Sequence, residues 1–142
     1  MIRTCTACGG DLVPFAVPDG LGTHAPDAPA EGDGGASDAA TLCSRCLRTY
    51  PEFDAPDESD APTFDAVAEY FPRGDGGAAV ALLLGMLDSL ALNRAAIETL
   101  VDRAEREGVD VLLTLDRIDG DAALDPHFDV GRRRTQVEQL LV

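Results

Sequence analysis

Two Cys-x-x-Cys pairs constrain this chain more than any other feature. Cys5-Thr6-Ala7-Cys8 and Cys43-Ser44-Arg45-Cys46 are two such pairs, with 34 residues between Cys8 and Cys43. Two intervening residues let both sulfurs of a pair reach one ion, and four thiolates suit a tetrahedral zinc at Zn–S distances of about 2.3 Å. Gly9, directly after Cys8, tolerates the positive φ that the turn demands. The second pair is followed by Leu47, so only the first has the full knuckle form. The gap exceeds the roughly 15–20 residues of compact ribbons, and an insertion rich in Gly, Pro and Asp at 18–40 accounts for the excess. The expected ligands are therefore Cys5, Cys8, Cys43 and Cys46, holding one structural Zn2+.

Other fates of four thiols fit less well. Two disulfides belong to oxidising compartments. A thioredoxin-like redox pair needs a βαβ context that neither pair has. The spacings are not those of ferredoxin clusters. Four Cys leave no open position for water, which argues for structure over catalysis. Arg3, Arg45 and Arg48 are the only bases in residues 1–62, each within two residues of a cysteine. They balance the formal −2 charge of a four-thiolate zinc. The alternative is a phosphate-contacting patch in a nucleic-acid-associated factor.

Charge narrows the setting. Twenty-six acids face 11 bases, for a net charge of −15, and every base is Arg. Such a surface resembles the proteins of salt-loving organisms, where molar salt cuts the reach of charge to about 3 Å; loosening at low salt is then expected. An acidic adaptor from an ordinary organism is the competing reading. The net charge disfavours nucleic acid, so another protein is the expected partner; the oligomeric state is open. Met1–Gly10 has no apolar stretch of the leader type. The run from Gly76 to Leu87 is bounded by Asp75 and Asp88 and is short for a membrane span, so a core helix and a cytoplasmic location are expected. Aromatic residues make up only 5%, leaving Leu, Val and Ala to build the core.

The predicted fold class is α+β: a small zinc ribbon-like β module at 1–50, an acidic linker at 51–62 and a helical bundle at 63–142. Ile2–Thr4 and Asp11–Val17 read as short strands. Thr63 is placed to cap a helix with Phe64, Val67, Ala68 and Phe71 on one face, ended by Pro72 and Arg73–Gly77. Ala78–Leu92 is apolar on nearly every face, as a central buried helix requires, and Gly85 within it suits close approach of another helix. Asn93 is a candidate cap for the next helix, with Leu92 and Ile97 as a hydrophobic staple. Ile97, Leu100, Val101 and Ala104 form its apolar stripe, and Gly108 ends it. Asp110–Asp119 is a shorter helix, Asp121–Asp129 a turn region, and the last helix carries Val130, Val137, Leu140 and Leu141 on one side.

The remaining chemistry-bearing residues have modest readings. His24 lies in the insertion as a solvated loop residue. His127 is expected as a partly buried turn residue bonded to Asp125 or Asp129; a general acid–base site near it is the enzyme alternative. Asp116, Asp119, Asp121 and Asp125 do not fit EF-hand spacing. Gly32–Gly35 and Gly74–Gly77 match no phosphate-binding loop, and no Lys is present to complete one. Arg132-Arg133-Arg134 either binds phosphate or RNA, or pairs with Asp125, Asp129 and Glu138 and seats the last helix.

The opening Cys-x-x-Cys-Gly with Val13–Pro18, Cys43–Arg48, the stretch Leu87-Asp88-Ser89-Leu90-Ala91-Leu92-Asn93-Arg94, and Asp125-Pro126-His127-Phe128-Asp129 with the Arg run together resemble an uncharacterised haloarchaeal family, number 6276 of the domains of unknown function. The resemblance covers nearly the full length. It implies a haloarchaeal source and an N-terminal pair of zinc-ribbon-like knuckles. The family carries no assigned activity, so no catalytic residue is transferred. A non-enzymatic interaction or regulatory protein is the leading expectation.

Overall fold

The computed structural model describes residues 4–18, 20–21, 39–51, 64 and 67–141. Ile2, Arg3, His24, Gly32–Gly35, Thr63 and nearly all of the 51–62 segment lie outside these residues. The described chain is α+β: a three-stranded antiparallel sheet followed by four α-helices.

Strand β1 (Leu12–Ala16) pairs with β2 (Ala39–Cys43), and β2 with β3 (Thr49–Pro51). The central strand β2 is buried along its whole length. Thr4 bridges to Asp11 across the first cysteine turn. The β2–β3 hairpin turns through the second cysteine pair. Each pair thus closes a tight antiparallel connection, which holds its sulfurs at one end of the sheet.

Helix α1 (Gly74–Met86) follows and is buried from Gly76 to Leu84. The glycines at 74–77, expected to end a helix, instead begin this one. A Cβ at Gly77 would collide with the Pro72 carbonyl and meet Phe64 at 2.9 Å, so a residue without a side chain lets the preceding backbone and the aromatic ring press onto the first turn. Gly74–Leu92 is long and apolar enough to cross a membrane, but 61% of it is buried within the fold.

The helix does not run on to Leu92. After Met86 the chain tightens into a 3-10 segment, Leu87–Leu92, with Ser89 at a non-helical φ of −122° and ψ of 47°. Asn93 is responsible in part: its Nδ2 donates to Ser89 O at 3.0 Å, the kind of side-chain bond that competes with regular helix. Asn93 therefore makes no side-chain cap on helix α2 (Arg94–Arg106). Leu92 points outward, 88% exposed, so it forms no staple with the buried Ile97.

The expected stripe Ile97, Leu100, Val101 and Ala104 is buried, and Gly108 ends the segment at φ +90°. Helix α3 (Val111–Asp119) is capped by Asp110, whose carboxylate accepts from Leu113 N at 3.0 Å. Helix α4 (Val130–Leu140) is capped in the same way by Asp129 through Arg132 N. Val130 and Val137 are buried, while Leu141 is exposed.

Among the described residues of 63–71, namely 64 and 67–71, none is helical. Phe64 O accepts from both Val67 N and Ala68 N, and Phe71 N donates to Ala68 O, which makes successive turns. So short a segment, followed by Pro72, has no propagating ladder to offset the cost of nucleation. Phe64, Val67 and Phe71 are buried all the same, and Ala68 is half-buried. Phe64 packs on Phe15 and Phe71, with ring centroids at 5.4 and 4.9 Å. One hydrophobic cluster joins Phe15, Ala40, Leu42 and Leu47 of the sheet region to the inward faces of α1–α4.

Candidate metal centre

The four cysteines meet in a second, small cluster flanked by Leu12 and Tyr50. Their Sγ atoms all lie within 4.8 Å of one another, three buried and Cys8 partly exposed. Between the two turns, Cys5 Sγ stands 3.6 Å from Cys46 Sγ and Cys8 Sγ 3.4 Å from Cys43 Sγ. A disulfide needs about 2.05 Å. A tetrahedron of sulfurs at about 2.3 Å from its centre has edges of about 3.8 Å. The arrangement is close to the second figure and far from the first, so the four thiols can hold a metal ion.

Both turns bend in the manner of a knuckle. Gly9 takes φ +79°, and Gly9 N donates to Cys5 O at 2.8 Å. Leu47, at the equivalent place after Cys46, takes φ +66°. The second pair thus has the knuckle form without glycine. Left-handed backbone costs a non-glycine residue roughly 1–2 kcal/mol, and full burial of the Leu47 side chain in the main core returns about 1.5–3 kcal/mol. Burial therefore outweighs the backbone strain. That compensation depends on tertiary packing, which the local sequence does not display.

Polar hydrogens converge on the sulfurs. Gly10 N donates to Cys8 Sγ, and Arg45 N and Cys46 N donate to Cys43 Sγ, each at 3.4 Å. The Tyr50 hydroxyl lies 3.1 Å from Cys5 Sγ. Burial works against the Cys5 thiolate, yet the bonds from Tyr50 and the Cys8 and Ala7 backbone outweigh it and hold the thiol at about 6. Burial pushes the Cys43 thiol up to about 12 and raises Cys46 as well. Cys43 and Cys46 thus resist ionisation unless a cation compensates them.

Arg48 bonds the Cys46 sulfur, which raises its own pKa. It therefore provides the charge balance expected near the site. Arg45 is exposed. Tyr50 was not foreseen: an aromatic four residues beyond the last cysteine is an ordinary strand residue until β3 folds back beside the first knuckle.

His127 belongs to the scaffold of this centre. Its ring is 4% exposed. Nε2 lies 3.1 Å from Leu84 O; a carbonyl only accepts, so Nε2 carries the proton. Nδ1 faces Asp88 at 3.9 Å, so the nearby carboxylate is Asp88 rather than Asp125 or Asp129. Burial lowers the imidazole pKa. The backbone beside it docks on the second knuckle: Asp125 N donates to Arg45 O at 2.8 Å and His127 N to Cys46 O at 2.9 Å.

The arginine run divides. Arg134 pairs with Asp116 and Glu138. Arg133 donates to Gln136 and to the backbone carbonyl of Asp88. Arg132 is exposed.

A family model described as a family of unknown function (DUF6276) matches residues 4–141. The chain belongs to this family. No curated protein and no solved structure matches the chain significantly. The match to DUF6276 takes in all four cysteines, Tyr50 and the Asp125–Asp129 segment that braces them.

Proposed function

We propose that this DUF6276 member is a zinc-binding, non-enzymatic interaction or regulatory protein whose zinc fixes a ribbon-like β module. The observation that carries the reading is the mutual approach of Cys5, Cys8, Cys43 and Cys46 within 4.8 Å, with inter-knuckle contacts of 3.4 and 3.6 Å. All four positions around the ion would be protein sulfur, so the zinc would hold structure and leave no place for an attacking water. Tyr50, Arg48 and the turn amides would orient the thiolates and offset their charge. The acidic composition supports a salt-rich cytoplasm as the setting. Nucleic-acid contact through Arg3, Arg45 and Arg48 is less favoured, because Arg48 is already engaged with the Cys46 sulfur.

Elemental analysis of protein purified in molar KCl, with a count of reactive thiols, tests the reading. One zinc per chain and no freely reactive thiol is the expected result. Four reactive thiols without metal, or a Cys43→Ala variant that keeps a full complement of zinc, would overturn it.

A further inference from the structure

The four sulfurs of the metal centre are not equally guarded. Three of the cysteines are buried, and Cys8 is partly exposed. The Cys5 sulfur meets the Tyr50 hydroxyl at 3.1 Å, Cys43 receives the amides of Arg45 and Cys46, and Cys46 is bonded by the Arg48 side chain. Among the described residues, the amide of Gly10 is the one N–H that reaches Cys8 Sγ. Bonds to a sulfur tie up the lone pairs with which it attacks, so Cys8 joins the greatest access to the least capped sulfur.

Gly10 keeps one flank of this sulfur clear. A Cβ built on it lies 3.4 Å from Cys8 Sγ, 3.2 Å from Cys43 Sγ and 2.9 Å from Arg45 Cβ. Unlike Gly9, Gly10 does not take positive φ, so its missing side chain serves space and not backbone conformation. A second sulfur stands within reach of the first. Cys43 Sγ, on the opposite turn, is 3.4 Å from Cys8 Sγ, against 3.6 Å between Cys5 and Cys46. Joining Cys8 to Cys43 requires closure to about 2.05 Å, a small displacement shared between two side chains.

We propose that Cys8 is a site of oxidation by peroxides, with Cys43 as the resolving thiol, and that this oxidation unlocks the metal centre. The proposal rests on the reading of the four cysteines as a zinc site. The Cys8 thiolate attacks one peroxide oxygen; the O–O bond breaks, hydroxide leaves, and Cys8 becomes a sulfenic acid. The Cys43 thiolate then attacks the Cys8 sulfur; an S–S bond forms, the S–O bond breaks, and a second hydroxide leaves. Two thiolates, one hydrogen peroxide and two protons thus become one disulfide and two waters, with two electrons passing from the sulfurs to the O–O bond. Cys5 and Cys46 are then the only thiolates left in the chain, too few for a closed four-sulfur site. The ion is released and the β module loosens.

The test uses the full-length protein loaded with zinc in molar KCl, with zinc content measured before any oxidant is added. Equimolar hydrogen peroxide is expected to release the zinc to a chromophoric chelator. Mass mapping of peptides prepared without reductant is expected to show Cys8 joined to Cys43 as the first disulfide. Cys8→His keeps four ligating side chains but cannot form that bond, and is expected to release zinc at least about tenfold more slowly. Cys5→His keeps both Cys8 and Cys43 and should release it close to the parent rate. Equal rates for the two variants, a first disulfide of any other pairing, or zinc that stays bound overturns the proposal. The disulfide map of the parent decides the matter even where a His variant fails to load. Protein that carries no zinc at the outset counts against the metal reading, and this proposal falls with it; zinc that is present but indifferent to peroxide counts against the proposal alone.

Discussion

Gly85 sits in helix α1 where a side chain would strike the sheet. A Cβ built there lies 2.9 Å from both Cβ and Cγ2 of Thr49, and closer still to its hydroxyl. In a free helix Gly→Ala gains about 1 kcal/mol. In this position overpacking costs about 1–3 kcal/mol, and the obstacle includes the Thr49 Cβ, which no rotamer change can move. Gly85→Ala is therefore expected to destabilise by up to about 2 kcal/mol net, a fall in melting temperature of about 4 °C per kcal/mol for a chain of this size. Thr49→Gly removes all three contacting atoms at a cost of up to about 1 kcal/mol in strand preference. The double variant should recover the helix gain, so the two changes should couple by the relieved overpacking, about 1–3 kcal/mol, in a double-mutant cycle. The assay is urea or thermal unfolding of the four proteins in the same salt. A Gly85→Ala variant that is more stable than the parent, or additive effects in the cycle, would show that β3 does not rest on α1 and would refute the reasoning. The neighbour named by Gly85 is thus a strand and not the helix its sequence context suggests.

Tyr50→Phe removes the hydroxyl that meets Cys5 Sγ and should lower zinc affinity about 10–100-fold, read by competition with a chromophoric chelator. Leu92→Gln should leave stability within about 0.5 kcal/mol, whereas Ile97→Ala should cost about 2–5 kcal/mol; equal costs in chemical unfolding would contradict the outward turn of Leu92. His127 has its folded pKa lowered from 6.5, chiefly by burial, so its protonation favours the unfolded chain. Its contribution is complete above about pH 6.5 and is lost as pH falls through that value towards the lower folded pKa. His127→Gln should flatten the decline in stability over that range relative to the parent, and an unchanged pH slope would refute the assignment.

What the sequence displays and what it hides divide along physical lines. The cysteine spacing, the period of Ile97–Ala104, the Asp110 and Gly108 boundaries and the buried apolar block Ala78–Leu84 are local signals, and each takes its expected place, although the helix expected to run to Leu92 ends at Met86. The misreadings fall where a distant partner decides. The periodicity of Phe64, Val67 and Phe71 records burial correctly, but burial is achieved by turns against Phe15 and α1. Gly74–Gly77 reads as a terminator until Phe64 packs on it. Asn93 looks like a cap, and bonds backwards to Ser89 instead. Leu47 gives no hint of positive φ, because the compensation lies in the core. Tyr50 and His127 reach the four-cysteine cluster only through pairing and docking that no local pattern encodes.

The two cysteine turns are not held alike. The first is braced mainly by its own bonds, Cys5 N to Gly10 O and Gly9 N to Cys5 O, both at 2.8 Å. The second is gripped from a distance: Leu47 is locked in the main core, and the carbonyls of Arg45 and Cys46 accept from Asp125 and His127. The same His127 donates from its ring to Leu84 in α1. Half of the thiolate set is therefore positioned by the helical part of the chain before any ion arrives, while the other half rests on a short turn with a partly exposed Cys8. Preorganised ligands lose less freedom on binding. If the four cysteines hold an ion as proposed, the second knuckle would serve as the fixed side of the centre, and the first, which also carries Cys5 with its lowered pKa, would be the side that adjusts to it.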